Sequence, residues 1–217
     1  GPNVTYIKSY STVPICIQKA TLVAKGKFIF HNIDDGVLAE NCLDLALDEM
    51  INKEKKAIMN MRYREGSGFS GPYQDIGTWR AGRYADLMFG GVDGNWTIAV
   101  QPMFLKEYFI EMGGFDCCYE YSNYSHHDFI FRSQMNGSII YHSPTECCNA
   151  DHMPGESGDH APIHHAQLGY DMPIFKEKWS KRPDIIKIDY NNYIYHDVPW
   201  TRRFKRLYSS YNEMMNG

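Results

Sequence analysis

A chain of 217 residues with 43% hydrophobic and 22% charged residues is long enough to bury a core and too apolar to be disordered. A formal net charge of −4 provides no broad basic surface, so nucleic acid is not an expected partner. No apolar run is long enough for a membrane span, and no secretory signal is recognisable. The six cysteines lack zinc-finger spacing, so we expect free thiols and a cytoplasmic location, in a bacterium or a virus-infected host cell.

The first quarter of the chain predicts four elements. "NVTYIKS" (3–9) predicts a short strand, and "VPICIQKATLVAK" (13–25) predicts a helix that stops at Gly26. Residues 27–31 predict a buried strand because aromatic and branched residues follow one another there. "LAENCLDLALDEMINKEKKA" (38–57) predicts the clearest helix of the chain, with a stripe of apolar side chains at Leu38, Cys42, Leu45 and Met50.

The remaining chain continues the alternation of strands and helices. Residues 62–95 predict loops with short strands, and "WTIAVQPMFLKEYFIEM" (96–112) predicts a strand that leads into a helix. A further helix is expected to end at Gly137, and "SIIYHS" (138–143) predicts the next strand. Residues 143–172 form a long polar segment, and segments of that kind are usually functional or mobile.

This alternation predicts an α/β fold with a central mixed sheet flanked by helices, in a single domain with a core at 1–172 and a C-terminal extension at 173–217. Asp34 and Asp35 directly follow the predicted strand 27–31. Adjacent carboxylates are stable in an exposed turn or against a bound cation. Since ligands bind at the carboxyl ends of strands in such folds, we favour a site over a simple turn.

Three segments resemble, in matching order, motifs of family 2-type glycosyltransferases with the GT-A fold. "AKGKFIFHNIDDG" (24–36) resembles the strand that ends in the DxD motif, and "MGGFD" (112–116) resembles the "vGGFDe" turn. "SHHDFIFRSQMNGSIIYH" (125–142) resembles the following helix, which carries the catalytic base. The resemblance implies a GT-A-like, Rossmann-like fold and transfer of a sugar from a nucleotide-sugar donor, such as a UDP-sugar, to a hydroxyl group of a glycan or glycoprotein.

The chain departs from the family pattern at two places. Only 33 residues precede Asp34, whereas the family has a longer segment there that holds the nucleotide base. The family's "E-D" pair stands here as His127-Asp128, although alignment on Arg132 and Gly137 would place His126 at the position of the base.

The resemblance also implies roles for individual residues. Asp35 and Asp34 would hold Mn²⁺ or Mg²⁺, which prefer oxygen ligands, and Asn32 with the same aspartates would bind the donor. His152, or else His142, would be a further metal ligand. A cation there neutralises the departing diphosphate.

The catalytic base of an inverting transfer is assigned to Asp128, with His126 as the alternative in the shifted register. The alternative explanation of Asp128, which we rank second, is a carboxylate that stabilises the start of a helix. The acceptor is expected near Gly113, Gly114 and His127.

Two other functions compete with sugar transfer. The stretch "DHMPGESGDHAPIHH" (151–165) is rich in histidine, and a zinc-dependent hydrolase built on it is the alternative enzyme, although its spacing matches no common zinc motif. A non-catalytic carbohydrate-binding module is the third interpretation. A requirement for Mn²⁺ or Mg²⁺ together with a nucleotide would indicate sugar transfer, whereas a requirement for Zn²⁺ alone would indicate the hydrolase. Nucleotide binding distinguishes sugar transfer from the non-catalytic module.

Overall fold

The computed structural model describes residues 4–32, 36–66, 74–75, 97–151, 167–181 and 183–196. Within them lie the helices α1 (Val13–Val23), α2 (Cys42–Met50), α3 (Lys106–Glu111), α4 (Ser122–Met135), α5 (Met172–Ser180) and α6 (Asn192–His196), with a π-helix at Gln167–Asp171. The strands are β1 (Phe28–Phe30), β2 (Gly36–Leu38), β3 (Ile58–Asn60), β4 (Tyr63–Gly66), β5 (Gln74–Asp75), β6 (Pro102–Leu105), β7 (Ile140–His142) and β8 (Cys148–Asp151).

The strands form two four-stranded mixed sheets. The first has the order β1-β6-β3-β7, with β6 antiparallel to both of its neighbours and β3 parallel to β7. The second has the order β2-β8-β4-β5, in which only β8 and β4 run parallel. The predicted α/β class with a mixed sheet and flanking helices is therefore confirmed at this level.

The two faces of the first sheet are covered by different helices, because alternate residues of each strand point to opposite sides. One face packs against α3 and α4 in an aromatic cluster that contains Ile29, Ile58, Phe104, Phe109 and Phe129. The other face packs against α2 in a cluster that contains Cys42, Ala46, Met50, Met59 and Met103. The first sheet is thus the middle layer of the core.

The predicted helix at 13–25 is confirmed as α1. Thr12 caps it, because its side-chain oxygen accepts a hydrogen bond from the backbone N–H of Ile15 at 3.2 Å, and Pro14 occupies the first turn, where its missing N–H has no consequence.

Two predicted elements near the N-terminus differ in the structure. Residues 4–10 belong to no helix or strand, so the strand predicted at 3–9 is wrong for the described residues 4–9. The helix predicted at 38–57 is shorter, since α2 spans only Cys42–Met50, and Leu38 instead lies in β2 opposite Cys148. Sheet pairing has overridden the helical pattern at this position.

The C-terminal part adds side chains to the core. Phe175 and Trp179 of α5 are fully buried, and the Trp179 ring packs edge-on against Phe131 of α4 at 5.1 Å. α5 begins at Met172, so the predicted boundary between core and extension falls inside this helix. All six cysteines are free thiols. None of the helices in the described ranges has the length and apolar character that a bilayer span requires.

The turn after α3 requires glycine for two reasons. Gly113 and Gly114 have φ angles of 85° and 66°, in the left-handed region that L side chains rarely adopt. A Cβ on Gly113 would also collide with the backbone carbonyl of Ile188, and one on Gly114 would lie 2.6 Å from the side-chain oxygen of Gln18. The turn is therefore in close contact with the chain around residue 188 and with α1.

Gly113→Ala should destabilise the fold by about 3 kcal/mol or more, because backbone strain and a backbone collision add together. Gly137→Ala is the matched control, since its φ is 87° and nothing lies within 4 Å of the added methyl group. Gly137→Ala should lower the free energy of unfolding by about 1–2 kcal/mol. Urea unfolding measures both variants, and equal losses would contradict the contact with Ile188.

Candidate functional site

The carboxyl ends of three parallel strands meet at one edge of the first sheet. β1 and β3 both run antiparallel to β6, and β7 runs parallel to β3, so these three strands point in the same direction. The residues at their carboxyl ends therefore form a row. The backbone N–H of His31 donates to the carbonyl of Pro102 at 3.4 Å, and Asn60 stands opposite both Pro102 and His142. Asn32, which follows His31, is exposed. Polar side chains therefore gather where a mixed α/β sheet usually binds its ligand.

His31 is buried among aromatic rings at this edge. Its ring lies 5.0 Å from Phe104, 5.7 Å from Phe109 and 5.4 Å from Phe115, between ring centroids. Part of the residue is exposed, yet neither ring nitrogen is accessible or has a hydrogen-bond partner among the described residues. Burial, followed by repulsion from His126, holds the pKa of His31 well below its ordinary value. His31 is therefore a neutral imidazole.

His126 is the fifth residue of α4, and its ring faces His31. Their ring centroids are 5.6 Å apart at 86°, and Phe115 packs against His126 at 4.7 Å. Nδ1 of His126 lies 2.5 Å from the carbonyl oxygen of Ser122. A carbonyl can only accept, so Nδ1 carries the proton and the neutral ring has its lone pair at Nε2. Burial lowers the pKa of His126 to about 4, so the ring is neutral at physiological pH.

Asp128 lies two residues later and is completely buried in an ion-pair network. Its Oδ2 accepts from Nε of Arg132 at 2.7 Å, while Oδ1 is 2.6 Å from Nζ of Lys178 and accepts from Nε1 of Trp179 at 3.1 Å. Three donors therefore surround this carboxylate, which fits a role in joining α4 to α5. The assignment of Asp128 as the base remains a prediction.

The predicted acceptor residues are held by protein contacts. The carbonyl of Gly114 accepts from Nη2 of Arg132 at 2.6 Å, and Gly113 abuts Ile188. His127 is buried near Tyr124 and Phe175, on the side of α4 that packs against α5. Burial lowers its pKa to about 3. Packing accounts for the residue types at these three positions, and acceptor binding there remains a prediction.

The predicted metal ligands fall largely outside the described residues. Asp34, Asp35 and His152 are among those that the structure does not describe. In the described ranges, no three His, Cys, Asp or Glu side chains are grouped so as to hold a metal ion. His142 is exposed, and its Nδ1 lies 3.4 Å from the side-chain nitrogen of Asn60.

Two residues of this edge were not assigned to a site from the sequence. Gln101 directly precedes β6, is 1% exposed, and has no partner for its side-chain amide in the described part of the chain. His31 is the other. His31 ends the apolar run "FIFH", and Gln101 interrupts the apolar run "AVQPMF". A polar residue in such a run is the feature of the sequence from which a site could have been predicted. Buried polar groups without partners are rare in folded proteins, so they indicate a bound ligand or water.

No protein-family model and no curated protein matches the chain. The residues described above are therefore the basis for a proposal about its function.

Stability should fall as the pH drops from 6.5 towards 4. The folded state keeps His31, His126 and His127 neutral, whereas the unfolded chain protonates them below about pH 6.5. The unfolded state then binds more protons, so each ring accounts for a loss of up to about 2 kcal/mol between pH 6.5 and 5.

Urea unfolding of wild type and His127→Phe across this pH range measures the effect. Phenylalanine keeps an aromatic ring beside Phe175 but cannot be protonated, so the slope should become shallower. His196→Gln, at an exposed position, is the control and should keep the wild-type slope. An unchanged slope in His127→Phe would contradict a neutral His127.

Proposed function

We propose that the chain is a metal-dependent glycosyltransferase that transfers a sugar from a nucleotide-sugar, such as a UDP-sugar, to a hydroxyl group of a glycan or glycoprotein, with inversion. In this proposal the first sheet is the ligand-binding part of a GT-A-like fold. The reaction takes place in the cytoplasm of a bacterium or a virus-infected host cell, where free thiols persist.

The observation that carries the proposal is the contact between the three segments that resemble the family. His31 belongs to the first segment, Phe115 to the second and His126 to the third. Their rings contact one another, with centroid distances of 5.4 Å, 4.7 Å and 5.6 Å. Residues separated by up to 95 positions in the chain thus meet at the carboxyl end of β1, which supports a shared role.

The donor would bind at this end of β1. Asp34 and Asp35 would hold Mn²⁺ or Mg²⁺, and Asn32, which is exposed, would lie nearest the ribose. The neighbouring side chains of His31 and Gln101 have buried polar atoms without hydrogen-bond partners among the described residues, as expected at an edge that binds a polar ligand. When bound, the cation neutralises the charge that develops on the departing diphosphate.

His126 is the base that the geometry favours. The carbonyl of Ser122 fixes its tautomer, so Nε2 is free to accept the proton of the attacking hydroxyl. A pKa of about 4 resembles that of a carboxylate, which is the usual base in this family. Asp128 is the competing assignment, and its three donors would have to be displaced before it contacted an acceptor.

A UDP-sugar should raise the melting temperature only when Mn²⁺ or Mg²⁺ is present. At 100 times its dissociation constant the ligand adds about 2.7 kcal/mol of stability. Asp35→Ala should abolish the cation-dependent part of this shift, because it removes an oxygen ligand. Thermal unfolding with a panel of UDP-, GDP- and dTDP-sugars measures it.

Asp48→Ala is the matched control, since Asp48 is an exposed aspartate on α2, and it should keep the full shift. If the cation-dependent shift of the melting temperature persists in Asp35→Ala, the cation does not bind at this position. Stabilisation by Zn²⁺ alone would favour the hydrolase, and no response to any nucleotide would favour the non-catalytic module.

His126→Gln should lower the rate of sugar transfer, or of donor hydrolysis by water, by about 10²–10⁴-fold. Glutamine is polar and neutral but cannot take up the proton, so donor affinity should stay unchanged. Release of the nucleoside diphosphate, followed with and without acceptors, gives the rate.

Asp128→Asn separates the two assignments of the base. It leaves Arg132 without its buried counter-charge, while Lys178 keeps Asp116 at 3.0 Å, so it should cost about 3–5 kcal/mol of stability. Assayed well below its melting temperature, it should keep most of the activity. An inactive but folded Asp128→Asn, together with an active His126→Gln, would identify Asp128 as the base.

A further inference from the structure

Asp171 is an aspartate at the start of a helix that does not cap that helix. It is the last residue of the π-helix Gln167–Asp171 and directly precedes α5. An aspartate at this position ordinarily accepts a hydrogen bond from the first turn of its own helix. The side chain of Asp171 makes no capping bond to α5, and the residue is completely buried. Its carboxylate therefore serves another part of the chain.

The carboxylate of Asp171 binds the entrance of α4. Oδ1 accepts from the backbone N–H of Glu120 at 2.8 Å, and Oδ2 accepts from the backbone N–H of Tyr121 at 2.9 Å. Tyr121 is the N-cap residue of α4, and its own side chain makes no capping bond. A carboxylate is favourable at this place, because the positive end of the helix dipole lies there. Asp171 thus caps α4 from outside the helix.

The turn that Asp171 holds is also the turn that orients His126. The Ser125 hydroxyl lies 2.9 Å from the carbonyl oxygens of both Tyr121 and Ser122. Nδ1 of His126 donates to the same Ser122 carbonyl at 2.5 Å. Peptide groups are rigid planes, so the N–H groups that Asp171 binds determine how the chain enters this turn. The direction of the Ser122 carbonyl therefore depends on Asp171.

The ring contacts of His126 fix its place but not its tautomer. Phe115 and His31 pack against the ring at 4.7 Å and 5.6 Å between centroids. Such contacts restrict where the ring lies, and they do not distinguish a proton on Nδ1 from a proton on Nε2. The Ser122 carbonyl makes that distinction, because it can only accept a hydrogen bond.

We propose that Asp171 is a positioning residue for the base: by holding the entrance of α4 it keeps the proton of His126 on Nδ1 and leaves Nε2 open to the acceptor hydroxyl. This role rests on the proposed function, in which His126 takes up the proton of that hydroxyl. The end of the polar segment 143–172 thereby contributes to the reaction without touching the substrate.

The position of the ring proton can be measured whether or not the chain transfers sugar. Long-range ¹H–¹⁵N spectra of a protein with ¹⁵N-labelled histidine rings distinguish a protonated ring nitrogen from an unprotonated one. The signal that disappears in His126→Gln is that of His126, and in the wild type its proton should lie on Nδ1. In Asp171→Asn one acceptor oxygen faces two N–H donors, so the form of His126 with its proton on Nε2 should appear.

Two control variants separate this effect from a general loss of stability. Gly137→Ala destabilises α4 at its opposite end, and Asp189→Asn removes a carboxylate that accepts the backbone N–H of Asn191 at an exposed position. Both should keep the proton of His126 on Nδ1. If Asp171→Asn does not fold, Asp171→Ser takes its place and should show the same change, since it keeps one acceptor oxygen and adds no bulk.

The kinetics of Asp171→Asn should show the loss of a positioned base. The kcat for sugar transfer should fall by about 10²-fold, because a small displacement of a reacting group raises the barrier. The KM for the nucleotide-sugar should stay unchanged, because the base contacts the acceptor and not the donor. Gly137→Ala should keep both constants when it is assayed well below its melting temperature.

The spectra decide the role of Asp171. A proton that stays on Nδ1 in Asp171→Asn would overturn the proposal and leave Asp171 as a residue that only joins the π-helix to α4. A wild-type His126 with its proton on Nε2 would overturn it too, as would the same change of tautomer in Gly137→Ala. A wild type that turns over no nucleotide-sugar would refute the proposed function, while the ring spectra would still show whether Asp171 orients His126.

Discussion

The buried ion pair between Asp128 and Arg132 is the interaction on which the arrangement of the site depends. Arg132 is fully buried, and its guanidinium also donates to the carbonyls of Met112, Gly114 and Ile186, at 2.9, 2.6 and 3.2 Å. Lys178 and Trp179 bring α5 to the same carboxylate. One charged pair therefore holds α4, the glycine turn, the segment near 186 and α5 together. Removing one member of such a pair leaves a buried charge uncompensated, which is far more costly than losing a surface salt bridge.

This network has a consequence for the chemistry of α4. Neighbouring positions on a helix point in different directions, so Asp128 reaches the interior while His126 reaches the end of β1. The Ser122 carbonyl and the Phe115 ring then hold the His126 imidazole in one orientation and one tautomer. A carboxylate held by three donors and a neutral imidazole with an available lone pair thus stand two residues apart. The ion pair positions the helix, and the helix positions the candidate base.

Local patterns in the sequence predicted the elements that depend on local physics. α1 has a capping threonine, an early proline and a run of apolar residues, and the strand at 27–31 has buried aromatic and branched side chains. Elements that depend on distant partners were missed. β8 lies in the polar segment 143–172 and forms because β2 and β4 pair with it. Residues 4–10 have the composition of a strand, but they belong to neither of the described sheets.

The site followed the same division. That an acidic pair follows β1 is a local feature of the sequence, and its role as a site stays a prediction. The contact between His31 and His126 depends on how α4 packs across the sheet. The register between His126 and Asp128 could not be decided from spacing alone. The structure adds that Arg132, four residues after Asp128 and therefore on the same side of the helix, pairs with that carboxylate, and the assignment of the base stays a prediction.

The central claim is that a cation and a nucleotide bind at the carboxyl end of β1 beside His126. Paramagnetic broadening by Mn²⁺ tests it directly, in the spectrum of a protein whose nine histidines carry ¹³C-labelled rings. With UDP present, substoichiometric Mn²⁺ should broaden the ring signals of His31, His126 and the predicted ligand His152, and leave His196, at the exposed end of α6, sharp. Mg²⁺ should reverse the effect by competition. Broadening that spares His31 and His126, or that affects all nine rings equally, would contradict the claim.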